Sequence, residues 1–229
     1  MTFSLAGRCA QTGMFGAVVT TSSIAVGSRC PFAAAGVGAI LTQHRTDPRL
    51  GPLGIEMLRL GYTPDEVIAG LVALTPGSEW RQLAVIDVRG QTASFTGASC
   101  KPERAEVHGK DCVALGNIVQ SEEVPKAMVR AFEANPEDSL TKRLIDALAM
   151  GDEAGGEFSP LVSAAVLVAN RFSFPYVDLR VDNQSDPIAA LRLMWELYEP
   201  QADPYVDRAT APEHAMPANA VPPVEPAKG

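Results

Sequence analysis

Thr2 follows Met1 at the head of MTFSLAGRCAQTGMFGAVVTTSSIAVG, so removal of the initiator methionine exposes a threonine carrying a hydroxyl and a free α-amine on one residue. Such a residue can attack a carbonyl and take up its own proton, because an α-amine titrates near about 8. Thr2 reads equally well as the β-branched opening residue of a strand. Attack on a carbonyl also requires a donor where negative charge develops. Asn117, after Gly116 at the end of the apolar run CVALGN, offers its amide side chain for that role, and a plain turn residue is the alternative. Gln43 and the run TTSS, which includes Ser22 and Ser23, close apolar stretches where loops present polar groups to a ligand. Arg29 is a further candidate for substrate binding, with Arg180 behind it. An arginine near a strand end also reads as a solvated or ion-paired side chain.

Other catalytic patterns are missing from the sequence. Ser28 in VGSRC lacks the second glycine of a nucleophile elbow, and no histidine stands near Cys9 or Cys30 to serve as a base. His44, His108 and His214 are far apart and form no zinc motif, and there is no phosphate-binding loop. The G-x-G at Gly36 and Gly38 lacks the third glycine of a dinucleotide fingerprint. The expectation is a site without metal or cofactor. Cys9, Cys30, Cys100 and Cys112 show neither C-x-x-C spacing nor the density of a disulfide scaffold, which suits buried thiols in a reducing compartment.

The chain has 229 residues, enough for one sizeable domain with a tail. Its 19 Lys and Arg stand against 27 Asp and Glu, a net charge of -8 that disfavours attraction to nucleic acid or an anionic membrane. No window approaches the roughly 18 unbroken apolar residues of a membrane helix, and no signal peptide is evident. These features predict a cytoplasmic protein whose partner is a small-molecule substrate.

The elements that must position these residues follow from the periodicity. Two strands joined by a turn at residues 10–13 open the chain, a third buried strand covers 36–42, and short helices cover 52–60 and 64–74. Residues 82–88 and 91–96 read as a hairpin about Arg89-Gly90, and 112–117 as another strand, with Ser121 capping the next helix. Helical spacing then dominates 122–134 and 140–150, separated by Asn135-Pro136. Residues 151–159 read as a flexible acidic loop. A strand pair at 161–170 and 176–181 and a last helix at 187–198 complete the domain, residues 1–199. Seven prolines between residues 200 and 229 predict an extended or disordered arm, suited to lie across a second subunit of a homo-oligomer. Strands that arrive in sequential pairs favour antiparallel sheets. The order fits an α+β fold, a four-layer αββα sandwich of two antiparallel sheets.

MTFSLAGR, AVGSRCPFAAAGVGAILTQ, RQLAVIDVRG, FTGASC, LGN and VDLRVDNQSDPIAALR together resemble an uncharacterised bacterial family, DUF1028, over about residues 2–199. That family is grouped with the N-terminal nucleophile (Ntn) hydrolases, which share the αββα sandwich. The resemblance implies an amidohydrolase acting on a small non-peptide amide, with Thr2 as nucleophile after Met1 is removed. A silent small-molecule-binding module, or a structural oligomer on the same fold, is the alternative. The chain departs from the family's pattern at Leu115, where a Gln is expected, and at Leu161-Val162, where Arg-Gln is expected. Apolar residues there point to an altered substrate or to lost catalysis.

Overall fold

The computed structural model describes residues 1–215. Among the described residues ten strands form two antiparallel sheets stacked face to face, and five α-helices cover both outer faces. Strands β1 (Thr2–Arg8) and β2 (Phe15–Thr21) form the opening hairpin, and the turn between them closes through the Gly13 N–H donating to the Cys9 carbonyl, with Gly13 at φ 74°. Strands β3 (Pro31–Ala34) and β4 (Gly38–His44) precede helices α1 (Leu50–Arg59) and α2 (Pro64–Leu74). Thr63 caps α2 in a reciprocal box with Glu66, and Pro64 sits where a missing N–H costs nothing. Strands β5 (Arg81–Asp87), β6 (Thr92–Thr96), β7 (Arg104–Gly109) and β8 (Cys112–Asn117) follow, then α3 (Glu123–Ala134), α4 (Leu140–Glu153), β9 (Ser163–Ala169), β10 (Val177–Val181) and α5 (Pro187–Thr210).

The larger sheet runs β10-β9-β2-β1-β8-β7 and the smaller β3-β4-β5-β6, so β1 lies in the interior of the larger sheet. Side chains alternate faces along a strand, and this period of two assigns every layer. Phe3 and Leu5 of β1 turn outward and pack with Met128 and Phe132 of α3 and Leu144 and Leu148 of α4. Ile40, Leu83 and Val85 turn outward from the smaller sheet onto Leu58 of α1 and Val67 and Leu71 of α2. The intervening positions Ala6, Ala17, Ala39 and Ala84 face inward, interleaved with Phe15, Leu41, Ile86 and Leu115. Small and large residues alternate, so the two sheets approach closely and exclude water.

Two strands, β3 and β7, escape the sequence pattern. β3 is a four-residue strand opening on Pro31 within one apolar stretch that runs on into β4, and β7 alternates exposed and half-buried positions at a sheet margin, so neither stands out as a separate strand. The larger correction concerns the end of the domain. The boundary expected at Glu199 falls inside α5, which continues through Pro200 and Pro204 to Thr210. Each proline removes a donor, to the carbonyls of Glu196 and Pro200, which ordinarily weakens a helix. Burial offsets that loss: Ala202 and Val206 are enclosed, Tyr198 and Tyr205 stack with ring centres 5.8 Å apart, and the Tyr176 hydroxyl donates to Asp203 at 3.1 Å. Residues 200–210 are therefore not an extended arm. The rest of that expected arm, beyond residue 215, lies outside the described residues. Among the described residues no helix is long and apolar enough to cross a membrane.

Candidate functional site

At one end of the sandwich the inward-facing layer changes from apolar to polar. The alternation that places Ala6, Leu41, Ala84 and Leu115 between the sheets also places Thr2, Ser4, Gln43, Gln82 and Asn117 there. Thr2 stands opposite Asn117 in the pairing of β1 with β8, and Gln43 opposite Gln82 in the pairing of β4 with β5. All five are buried, so each polar atom needs a partner inside the protein.

Most find one. The Ser4 hydroxyl donates to Gln43 Oε1 at 2.6 Å across the gap between the sheets. Gln43 Nε2 donates to Gln82 Oε1 at 2.7 Å, and Asn117 Nδ2 donates to the same oxygen at 3.1 Å. Gln82 Nε2 donates in turn to Thr96 Oγ1 and to the Gly116 carbonyl, both at 3.1 Å. Every donor and acceptor of the Gln82 amide is thus engaged. Asn117 Oδ1, by contrast, is buried without a partner.

The chain end adjoins this network. The Thr2 and Thr21 hydroxyls both donate to the Met1 carbonyl, and their oxygens lie 3.4 Å apart. Beside them Glu157 is buried; its Oε2 accepts the Ser22 N–H at 3.1 Å while Oε1 has no partner. Burial pushes the Glu157 carboxyl up from its usual range, against the pull of the Ser22 hydrogen bond and the chain-end amine. Burial also holds the Met1 amine below its ordinary value, opposed by the charge of Glu157 and reinforced by Lys101. Cys30, facing the same end, is pushed up to about 11 by burial, and burial likewise lowers His44.

Backbone strain gathers here too. Ala25, His44 and Ile118 adopt positive φ of 55°, 68° and 55°, and the last two directly follow Gln43 and Asn117. Left-handed backbone costs about 1–3 kcal/mol for residues other than glycine, most for a β-branched one such as Ile118, and it concentrates at functional sites.

The family of unknown function DUF1028 matches residues 2–191. The chain belongs to this family. A crystal structure of a DUF1028 protein from Silicibacter pomeroyi matches with a TM-score of 0.80 at 30% identity, covering 86% of this chain and 85% of that chain. Anbu, an ancestral β-subunit, from Yersinia bercovieri matches at a TM-score of 0.38 and 11% identity over 90% of this chain and 97% of that one, a likeness too slight to carry an argument. No curated protein matches.

In this DUF1028 chain the structure brings together four of the six candidate residues, Thr2, Asn117, Gln43 and Ser22. Ser23 adjoins them through its N–H, which points to Thr21 Oγ1 at 3.4 Å, while Ser163 Oγ donates to its carbonyl at 2.6 Å. Gln43 has both amide atoms engaged within the protein, so its visible part is to fix the network. Arg29 is turned to local use, its Nη1 donating to the carbonyls of Ile24 at 2.8 Å and Ala25 at 2.7 Å. Leu115 is fully buried among the inward-facing apolar residues, so its departure from the family pattern falls in the core between the sheets.

Sequence reasoning missed Ser4, Gln82 and Glu157, while Thr21 lies in the run TTSS already singled out. Ser4 and Gln82 were legible from the alternation, since each shares a face with a residue already singled out. Glu157 was hidden by its setting in GDEAGGEFS, which reads as a mobile acidic loop. In the fold α4 extends to Glu153, Gly155 and Gly156 turn the chain at φ 125° and 55°, and Glu157 bridges to Val119 beyond β8. That bridge carries the carboxylate into the interior. None of five cavities found among the described residues is lined by Thr2. Among the described residues no three His, Cys, Asp or Glu side chains gather in a way that could hold a metal ion.

Proposed function

We propose that the protein is an Ntn-type amidohydrolase that cleaves a small non-peptide amide, with Thr2 as nucleophile once Met1 is removed. The observation that carries this reading is the placement of Thr2, buried at the head of an interior strand, on the inward face and opposite Asn117. In the proposed reaction the Thr2 α-amine takes the hydroxyl proton as Oγ1 adds to the amide carbon. The tetrahedral oxyanion is met by the Asn117 N–H not used by Gln82. Collapse expels the amine, which leaves with the proton, and water then hydrolyses the ester on Thr2 to restore the enzyme.

Removing Met1 also removes the carbonyl on which the Thr2 and Thr21 hydroxyls converge, so processing both creates the base and releases the nucleophile. The test is a screen of Met1-free protein, verified by intact mass, against simple amides, ureido acids and acylated amino acids. Thr2→Ala is expected to abolish turnover with the fold intact, and Thr2→Ser to retain a measurable fraction. Full activity with Met1 attached, or in Thr2→Ala, sinks the mechanism. A silent binding module is the second reading, favoured by the engagement of the Thr2 hydroxyl with Met1; absence of turnover across the panel supports it.

A further inference from the structure

Glu157 is the buried ionisable group at the chain end that the proposed chemistry leaves without a task. It is more than nine-tenths buried, and no arginine, lysine or histidine among the described residues lies within ion-pairing distance of it. Its Oε1 has no hydrogen-bond partner while Oε2 is held by the Ser22 N–H, so the carboxylate is fixed in orientation with half its capacity vacant. A buried carboxylate left in this condition is costly unless a cationic or donor group completes it. The charges that act on the chain-end amine are those of Glu157, Lys101 and Cys30, and His44 of β4 in turn feels the amine's charge. Of the two acids among them whose charge favours a protonated amine, Glu157 acts more strongly than Cys30. Thr21 directly precedes Ser22, whose N–H holds Glu157 Oε2, and its own hydroxyl is given to the Met1 carbonyl and lies 3.4 Å from that of Thr2.

We infer that Glu157 is a positioning residue for the chain-end amine, acting on it by charge while Met1 is present and, once Met1 is removed, completing its own vacant oxygen through the Thr21 hydroxyl. With Met1 present the amine is that of Met1. With Met1 gone, the Thr21 hydroxyl loses its acceptor and turns to Glu157 Oε1, leaving its own oxygen to receive a donor from Thr2. The inference rests on the Thr2 reading only for its consequence in catalysis, because the placement of Glu157 beside Thr21 and Ser22 at the chain end is the same whether or not an amide is hydrolysed.

Competitive acetylation of the full-length protein across a pH series, read by mass spectrometry at the N-terminal peptide, gives the titration midpoint of the α-amine in Met1-bearing and Met1-free forms. Glu157→Gln keeps the shape and removes the charge. The midpoint is expected to move to lower pH in both forms, because a carboxylate stabilises the protonated amine. In an active Met1-free enzyme the rising limb of the pH–rate profile moves the same way, and turnover falls roughly tenfold to a hundredfold as the amine loses its fixed place. An unchanged amine midpoint in Glu157→Gln overturns the inference, even if the wild type hydrolyses amides. A shifted midpoint in a protein that hydrolyses none upholds it while the Thr2 mechanism fails. Should Glu157→Gln not fold, Glu157→Ala, which also removes the charge, is read in its place: a lowered midpoint supports the inference and an unchanged one overturns it.

Discussion

Ser4 of the six-stranded sheet donates its hydroxyl to Gln43 Oε1 of the four-stranded sheet at 2.6 Å, crossing the gap where the sandwich turns from apolar to polar, beside the bonds that join Gln82 to Asn117 and to the Gly116 carbonyl. Both residues are fully buried. Ser4→Ala leaves the glutamine oxygen desolvated and unpaired, and about 1–3 kcal/mol of stability is expected to be lost. In a domain of this size that lowers the thermal midpoint by roughly 2–4 °C per kcal/mol, measured by calorimetry. Ser4→Thr, which keeps the hydroxyl, is expected to recover part of the loss.

Asn117 is expected to behave in the opposite way. Its Oδ1 is buried without a partner, and its Nδ2 shares the Gln82 oxygen with Gln43, so Gln82 keeps an acceptor bond when Asn117 is truncated. Asn117→Ala thus removes an unsatisfied polar atom while opening a small cavity, and the stability change is expected to stay under about 2 kcal/mol. If Asn117 supplies the oxyanion donor, turnover of the Met1-free enzyme falls about 10²–10³-fold. Denaturation and kinetics on one variant separate the two effects. A large loss of stability would assign Asn117 to the scaffold instead.

The sandwich was legible in the sequence because its strands arrive in adjacent pairs and its helices carry continuous apolar stripes. Thr2 and Asn117 were legible because a hydroxyl after an initiator methionine and an amide at a strand end are chemically conspicuous where they stand. The inter-sheet network was only half visible. Ser4 and Gln82 sit inside apolar runs as single polar residues, and what they contact depends on the register between sheets, which no local pattern records. Glu157 was concealed for a different reason, since glycines and acids in succession look solvated until a bridge from Val119 pulls one of them inside. Proline density misled at the end of the domain, where tertiary contacts of Ala202 and Val206 overrule local helix preference.

Those contacts make truncation informative. Ending the chain after Glu199 discards Ala202, Val206 and the Tyr205 ring stacked on Tyr198, and leaves the Tyr176 hydroxyl without Asp203. Loss of two enclosed apolar side chains and one aromatic contact is expected to cost about 2–4 kcal/mol. Ending the chain after Ala215 keeps all of α5 and all of these contacts. The comparison is a pair of urea titrations, and equal midpoints for the two truncations would show that the last part of α5 adds nothing to the core.

Glu157 also has a consequence for stability against pH. Burial raises its pKa in the folded state, so the folded protein holds that proton more tightly than the unfolded chain does. Its contribution is fully present below the ordinary glutamate value of about 4.3 and is lost as pH rises through the elevated folded value. The chain-end amine acts in the contrary sense, because burial lowers its pKa and the unfolded chain binds the proton more tightly. From that cause stability recovers as pH climbs toward the ordinary amine value of about 8. Other carboxylates titrate in the same range, including Asp47, held down by Arg49, and Asp152, raised by burial, so the useful quantity is a difference between two proteins. The wild-type stability minus that of Glu157→Gln, from denaturant titrations between pH 4 and 9, is expected to fall with rising pH above the glutamate range. Near neutral pH the variant is expected to match or exceed the wild type in stability, because a buried carboxylate with one empty oxygen has been replaced by a neutral amide. A difference that stays flat with pH would show that Glu157 titrates alike in the folded and unfolded chains, and would remove the burial cost on which its pairing with the amine is argued.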